Sequence, residues 1–291
     1  VSSNSSELGG GIYAINANVI LDMAKIHSND ASFGGGLDLD SSLLTMTDSE
    51  VYSNTSTYDG GGLLLINAAK ADVETSTIAD NEAGRYGGGI YATVNELNVI
   101  NSTLSGNESG SYGGAIFFAG QDALNLTYST IANNIANTSG TSGVTYAGGG
   151  VYQTTGTLNM VNTILAQNYQ TLAQDSSHDD YYGSSSVSAG SISYSIIGAN
   201  NASTFFSGAG MIVLGDSTPY SSLGVSSVLE NLGGPTRTLW ISNSSVAVEA
   251  GTIQTASSTV TTDQRGISRV YSPAAQSTIG AYEKNIVTYV F

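Results

Sequence analysis

The densest group of residues able to do chemistry lies between Asp175 and Asp180, where His178 and Asp179 complete a set of imidazole and carboxylate side chains. Such groups can ligate a divalent cation, but metal sites space their ligands regularly and this loop does not, so a solvated acidic loop is the plainer reading. Asp263 and Arg265, in Thr-Asp-Gln-Arg-Gly, have the residue types of an acid/base pair. A polysaccharide lyase would also need a calcium cage beside its base, and a hydrolase would need two carboxylates at a fixed separation. The cations are Lys25, Lys70, Arg85, Arg237, Arg265, Arg269 and Lys284, and none stands beside an acidic cluster that recurs along the chain. No catalytic residue, cofactor or metal site is expected, and calcium finds no support in the spacing.

What would position any of these groups is a repeat. Glycine triplets, or Gly-Gly-Ala, are centred on Gly10, Gly35, Gly61, Gly88, Gly114 and Gly149, at intervals of 25, 26, 27, 26 and 35 residues. An aliphatic residue followed three positions later by asparagine recurs with them and once beyond, ending at Asn29, Asn54, Asn81, Asn107, Asn134, Asn168 and Asn200. After each triplet an aliphatic residue alternates with outward positions, and a second alternating run includes Leu44, Leu97, Leu124 and Leu158. The period excludes a nine-residue calcium-binding repeat, and the absence of a Leu-x-x-Leu-x-Leu pattern excludes a leucine-rich horseshoe. A repeat of this length fits one coil of a parallel β-solenoid built from two or three short strands, with the asparagines stacked as an amide ladder. The expected fold is all-β: a right-handed parallel β-helix with about seven regular coils over residues 1–200, then an irregular continuation and cap over 201–291.

Between the inward positions of the strand after the triplet stands an outward column. Tyr13, Leu64, Tyr91, Phe117 and Tyr152 lie in it, with Asp38 between the first two. An apolar, aromatic stripe on a flat sheet is a candidate contact for a neighbouring chain or a sugar polymer, although cross-strand stacking within one chain also stabilises a sheet. At the far end of the chain Ile286, Val287, Tyr289, Val290 and Phe291 form a β-branched and aromatic strand suited to pairing with the first coil of another copy, or with the chain's own cap.

Composition narrows the partners. Lys and Arg number 7 against 23 Asp and Glu, giving a formal net charge of −16, so no basic face for nucleic acid is expected. There is no cysteine, and no apolar run approaches the ~20 residues of a membrane-spanning helix. Eight Asn-x-Ser/Thr sequons, at Asn4, Asn54, Asn101, Asn107, Asn125, Asn137, Asn201 and Asn243, are candidate glycosylation sites. Their number is close to what chance gives in a chain so rich in serine and threonine.

The repeats are similar to the Gly-Gly-Ala-Ile and Phe-x-x-Asn repeats of polymorphic outer-membrane proteins, with an aliphatic residue in place of Phe. The tail resembles more specifically that of the choice-of-anchor Q secreted surface proteins. It carries Leu232-Gly-Gly-Pro-Thr-Arg-Thr-Leu239, Ser245-Val-Ala-Val-Glu-Ala-Gly251, Thr261-Thr-Asp-Gln-Arg-Gly-Ile-Ser-Arg269 and Ile279-Gly-Ala-Tyr-Glu283 in family order. The resemblance implies a protein at the surface of, or secreted by, a bacterium or archaeon, with Asp263 and Arg265 acting as a salt-bridged staple of the cap. The expected function is that of a non-enzymatic structural or adhesive protein, self-associating head to tail and laterally, with surface polysaccharide as a further partner. A carbohydrate-binding or carbohydrate-cleaving protein of the same fold is the alternative.

Overall fold

The computed structural model describes residues 1–68, 70–140, 146–172, 175–215, 220–252, 260–269 and 277–284. Its unit is a coil such as Ile90–Ala92, Glu96–Ile100, Thr103–Ser105 and Glu108–Ser109. Equivalent strands of successive coils pair side by side in four sheets of seven, seven, eight and eight strands. We call these, in the order of that coil, the post-glycine, long, corner and short sheets. Coil-to-coil pairing is parallel and in the register of the repeat, so that Leu97 faces Leu124 and Leu124 faces Leu158. The hairpin Tyr169–Leu172 with Asp175–His178 is an antiparallel insertion at the edge of the short sheet.

The alternation explains the core. Ile90, Leu97, Val99 and Leu104 of one coil are fully buried and stack on Ile116, Leu124, Leu126 and Ile131 of the next, forming one continuous cluster along the axis. The first glycine of each triplet turns the chain with positive φ, +66° at Gly87. The middle one lies against the coil above, where a Cβ at Gly88 would stand 2.5 Å from the Gly114 carbonyl oxygen. Glycine is required at both places for different reasons. The coil has four strands rather than two or three. The extra one, Thr55–Ser56 or Glu82–Ala83, has only two residues and no apolar alternation to announce it.

At the other bend a hydroxyl ladder holds the coils together. The backbone N–H of Ser49 donates to Ser76 Oγ (3.1 Å), that of Ser76 to Ser102 Oγ (3.0 Å), and that of Thr163 to Ser195 Oγ (3.0 Å).

The two ends of the core differ. In the first coil Ile12, Ala14 and Val19 are only partly buried. At the other end the 3-10 helix Ser203–Phe206 lays Phe206 edge-on to Tyr181, 5.5 Å between centroids, and closes the stack. Coil pairing continues as far as Ile212–Val213.

The described parts of residues 220–284 do not cap an end. They run back along the outer face of the corner sheet as a strap. Ala132, Ile164 and Ile196 on that face form a second apolar core with Leu223, Leu239, Ile241 and Ile279. Further back the contact becomes polar. Gln264 donates through Nε2 to Ser76 O (3.1 Å) and accepts at Oε1 from Thr103 (2.6 Å). Arg269, 2% exposed, donates to Asn101 Oδ1 and Gly280 O, both 2.8 Å, and lies over the Tyr128 ring. The tail motifs are therefore the anchors of the strap. Ile286, Val287, Tyr289, Val290 and Phe291 lie outside the described residues.

Candidate functional site

The outward aromatic column becomes a stack only in its upper coils, and there it doubles. Tyr91 and Phe117 are parallel at 5.1 Å between centroids, Phe117 and Tyr152 at 5.5 Å, and Tyr152 and Tyr182 at 4.5 Å. A second file stands just before the glycine triplets. Tyr86 lies 5.7 Å from Tyr112 and 5.1 Å from Phe117, and Tyr112 lies 4.6 Å from Tyr152. All six rings are half-buried. Parallel pairing of strands repeats the side chain at each coil, which is what stacks the rings. Faces inside the files are shared with a neighbour, so between its end rings Tyr91 and Tyr182 the array presents ring edges and tyrosine hydroxyls outward. Burial and the adjacent tyrosines push the Tyr152 hydroxyl up to about 12.

Two members of the predicted stripe do not belong to it. Leu64 and Asp38 are buried, at 5% and 3% exposure, where the other positions of the column are half-buried or exposed. Tyr13, 46% exposed, stands in the first coil below Asp38 and has no ring neighbour among the described residues. Below the stack Arg85 replaces a ring: its guanidinium lies 5.0 Å from the Tyr58 centroid and 5.6 Å from that of Tyr86, and it pairs with Asp59. The second file and Tyr182 escaped the sequence reading. Tyr86 and Tyr112 each immediately precede a triplet, a signal that was present in the spacing.

The asparagine ladder runs as expected from Asn29 through Asn54, Asn81, Asn107 and Asn134 to Asn168, with amide contacts of 2.9, 3.0, 3.0, 2.9 and 2.8 Å. It begins one rung earlier, at Asn4, whose Nδ2 donates to Asn29 Oδ1. Its last rung is not Asn200 but Asp180. Asp180 Oδ1 accepts from the backbone N–H and Nδ2 of Asn168, at 2.7 and 2.9 Å, while Oδ2 accepts from the Ala199 N–H and the Tyr220 hydroxyl. Asn200 instead closes a local turn, donating to Gly198 O and accepting from the Ala202 N–H. A carboxylate suits the final rung because it needs no acceptor above it.

The same geometry separates the acidic loop. Asp179 Oδ2 accepts from the backbone of Ala147 and Gly148 while its Oδ1 has no partner, and burial pushes its carboxyl up to about 6. Burial takes Asp180 up to about 7 against the pull of its donors. The His178 ring stacks on Tyr220 at 3.7 Å. No group of three or more metal-ligating side chains occurs among the described residues. Asp263 and Arg265 form a 2.6 Å ion pair with the carboxylate fully buried; the pair expected to staple a cap lies inside the strap instead.

Burial also sorts the sequons. Asn54, Asn101, Asn107 and Asn137 are buried and Asn125 is half-buried, its Nδ2 donating to Asn98. Asn4, Asn201 and Asn243 are exposed, but Asn4 is tied to Asn29 and Asn201 to Gly183, each through its Nδ2. Folded, the chain offers Asn243 as the accessible acceptor with no such tie.

Residues 2–127 match a family model described as a right-handed beta helix region. The fold is a right-handed parallel β-helix. Neither curated proteins nor solved structures give a match. Among the described residues of the β-helix no helix is long and apolar enough to cross a membrane.

Proposed function

We propose that this β-helix is a non-enzymatic, extracellular building block of a bacterial or archaeal surface, of the choice-of-anchor Q kind that its tail resembles. It makes lateral contacts with further copies through the aromatic stack. The observation that carries the reading is the two-file array of Tyr86, Tyr91, Tyr112, Phe117, Tyr152 and Tyr182 on a face that the strap leaves open. Stacking within the chain fixes these rings, so little side-chain entropy is lost when their edges meet a partner, and aromatic residues are favoured at such contacts. Shared faces inside the stack leave only the end rings, Tyr91 and Tyr182, for a pyranose to lie on, which favours a second copy over a sugar polymer. End-to-end association through residues 286–291 belongs to the same proposal and rests on their sequence alone.

The test is sedimentation and electron microscopy of the wild type and of a Tyr91→Ser, Phe117→Ser, Tyr152→Ser triple variant. Concentration-dependent assembly of the wild type, weakened in a variant that keeps its strand signature by circular dichroism, is expected. A wild type that stays monomeric at high concentration, or a variant that assembles equally well, would reduce the stack to intramolecular support.

A further inference from the structure

Every ring of the aromatic array except Phe117 is a phenol, and the way the rings are held decides what those phenols can react with. Parallel pairing puts Tyr91, Phe117, Tyr152 and Tyr182 in register from coil to coil, with interplanar angles of 1°, 8° and 17° between successive rings. Tyr86 and Tyr112 lean on this file at 25° and 28°. Backbone hydrogen bonds hold adjacent strands about 4.8 Å apart, so rings stacked along the axis meet face to face and cannot bring their edges together. The ring carbons next to each hydroxyl lie on those edges. They are therefore closed to their stacked neighbours and open to whatever packs against the array.

A phenol that loses one electron and its hydroxyl proton becomes a phenoxyl radical, and two such radicals join through a carbon next to each oxygen, edge to edge. Inside this array that geometry is forbidden by the stacking. Between two copies it is the geometry a lateral contact provides. A two-fold contact is isologous, so the same files meet on both sides and phenol edge faces phenol edge. Exposure alone would select other residues: Tyr13 and Tyr58, 46% and 42% exposed, are more open than any ring of the array. Neither is part of it. Tyr13 stands in the first coil, and Tyr58 packs on Phe33 at 4.9 Å with the Arg85 guanidinium over its ring.

We propose that Tyr86, Tyr91, Tyr112, Tyr152 and Tyr182 form a site of oxidative modification, at which a peroxide-driven one-electron oxidant joins two laterally packed copies through dityrosine. The inference rests on the lateral contact proposed above and makes that contact permanent. Each of two phenols, one from each copy, gives an electron and its hydroxyl proton to the oxidant. One carbon–carbon bond forms between the ring carbons beside the two oxygens, and the hydrogen on each of those carbons moves to its oxygen and restores the phenol. Two tyrosines and one hydrogen peroxide thus give one dityrosine and two waters. Contact selects the site, because radicals held edge to edge couple before those that must meet by diffusion.

The test treats the protein with a haem peroxidase and hydrogen peroxide, after sedimentation has shown its state of association. Covalent dimers are read on denaturing gels and the linked peptides are mapped by mass spectrometry. Dityrosine between array tyrosines of two copies is expected to dominate the map. A variant with Phe at 86, 91, 112, 152 and 182 keeps every ring and should lose the covalent dimer. Cross-links mapped mainly to Tyr13 or Tyr58, an undiminished dimer in the Phe variant, or an assembled wild type without dityrosine would overturn the modification and leave the lateral contact standing. A wild type that stays monomeric before oxidation would remove the contact and the cross-link together. The wild-type peptide map decides the assignment even where the Phe variant assembles poorly.

Discussion

The β-helix carries two asparagine ladders, and they differ in almost everything except their spacing. The inner one stands at the bend before the short sheet. There Asn107 Oδ1 accepts from the N–H and Nδ2 of Asn81, and its own Nδ2 donates to Ile78 O and Asn134 Oδ1. Every hydrogen-bonding capacity of that amide is filled by protein, at a residue with no exposure. The outer ladder lies on the outward face of the long sheet. Asn98 donates to Asp72 at 2.8 Å, Asn125 to Asn98 at 2.6 Å and Asn159 to Asn125 at 2.7 Å. Asn125 has one neighbour on each side, and water can take its remaining bonds. The same side chain is thus a structural joint in one place and a surface feature in the other. What separates them is whether solvent can replace a lost partner.

The sharpest way to break the comparison is Asn107→Ala. It would leave the Asn81 N–H and Nδ2 without their acceptor and Ile78 O without its donor, where no water reaches. Each stranded group costs on the order of 1–3 kcal/mol, so a loss of about 3–5 kcal/mol is expected from denaturant unfolding. A loss below 1 kcal/mol would show that the inner ladder relaxes around the gap.

Much of this architecture was legible because a solenoid writes its geometry into the chain once per coil. The inward columns, the glycine corners and the inner ladder from Asn29 to Asn168 all follow from period and alternation. From the second coil on, the serine and threonine of the hydroxyl ladder were equally periodic, two residues before the aliphatic of the asparagine signature, as at Ser49, Ser76 and Ser102. Other features lay beyond periodicity. Leu64 is buried although it shares its column with half-buried rings, a difference that alternation along one strand does not carry. Asn200 lost its place because the hairpin insertion brings Asp180 back to the end of the ladder. The strap's route over the corner sheet joins residues such as Glu50 and Arg237 that are far apart in sequence and belong to no repeat.

The terminal rung sharpens the comparison through pH. Asp180 titrates near 7 in the folded chain and near its ordinary value of 3.8 when unfolded. Between those values the folded state binds the extra proton, so this group's contribution is full below about pH 4 and declines as pH rises to about 7. Asp38 and Asp179, raised to about 6, and Glu283, raised to about 7, act in the same window and direction. The difference between wild type and Asp180→Asn is therefore the informative quantity. The variant should lose a few kcal/mol less than the wild type between pH 4 and pH 7. Identical slopes in pH-dependent denaturant titrations would mean that the four donors around Asp180 hold it ionised throughout.

The smallest effect belongs to the outer ladder, and it tests the comparison from the other side. Asn125→Ala removes two side-chain hydrogen bonds, one to Asn98 Oδ1 and one from Asn159 Nδ2, at a half-buried position on an open sheet face. Both stranded partners can turn to water, so the net loss should be about 1 kcal/mol or less, a fraction of that for Asn107→Ala. The main-chain pairing of Asn125 with Asn98 and Asn159 is untouched, because those bonds belong to the backbone. Denaturation midpoints of the two variants measured side by side decide the matter. Equal losses would mean that regular spacing along the axis, rather than exclusion of solvent, gives an amide ladder its strength.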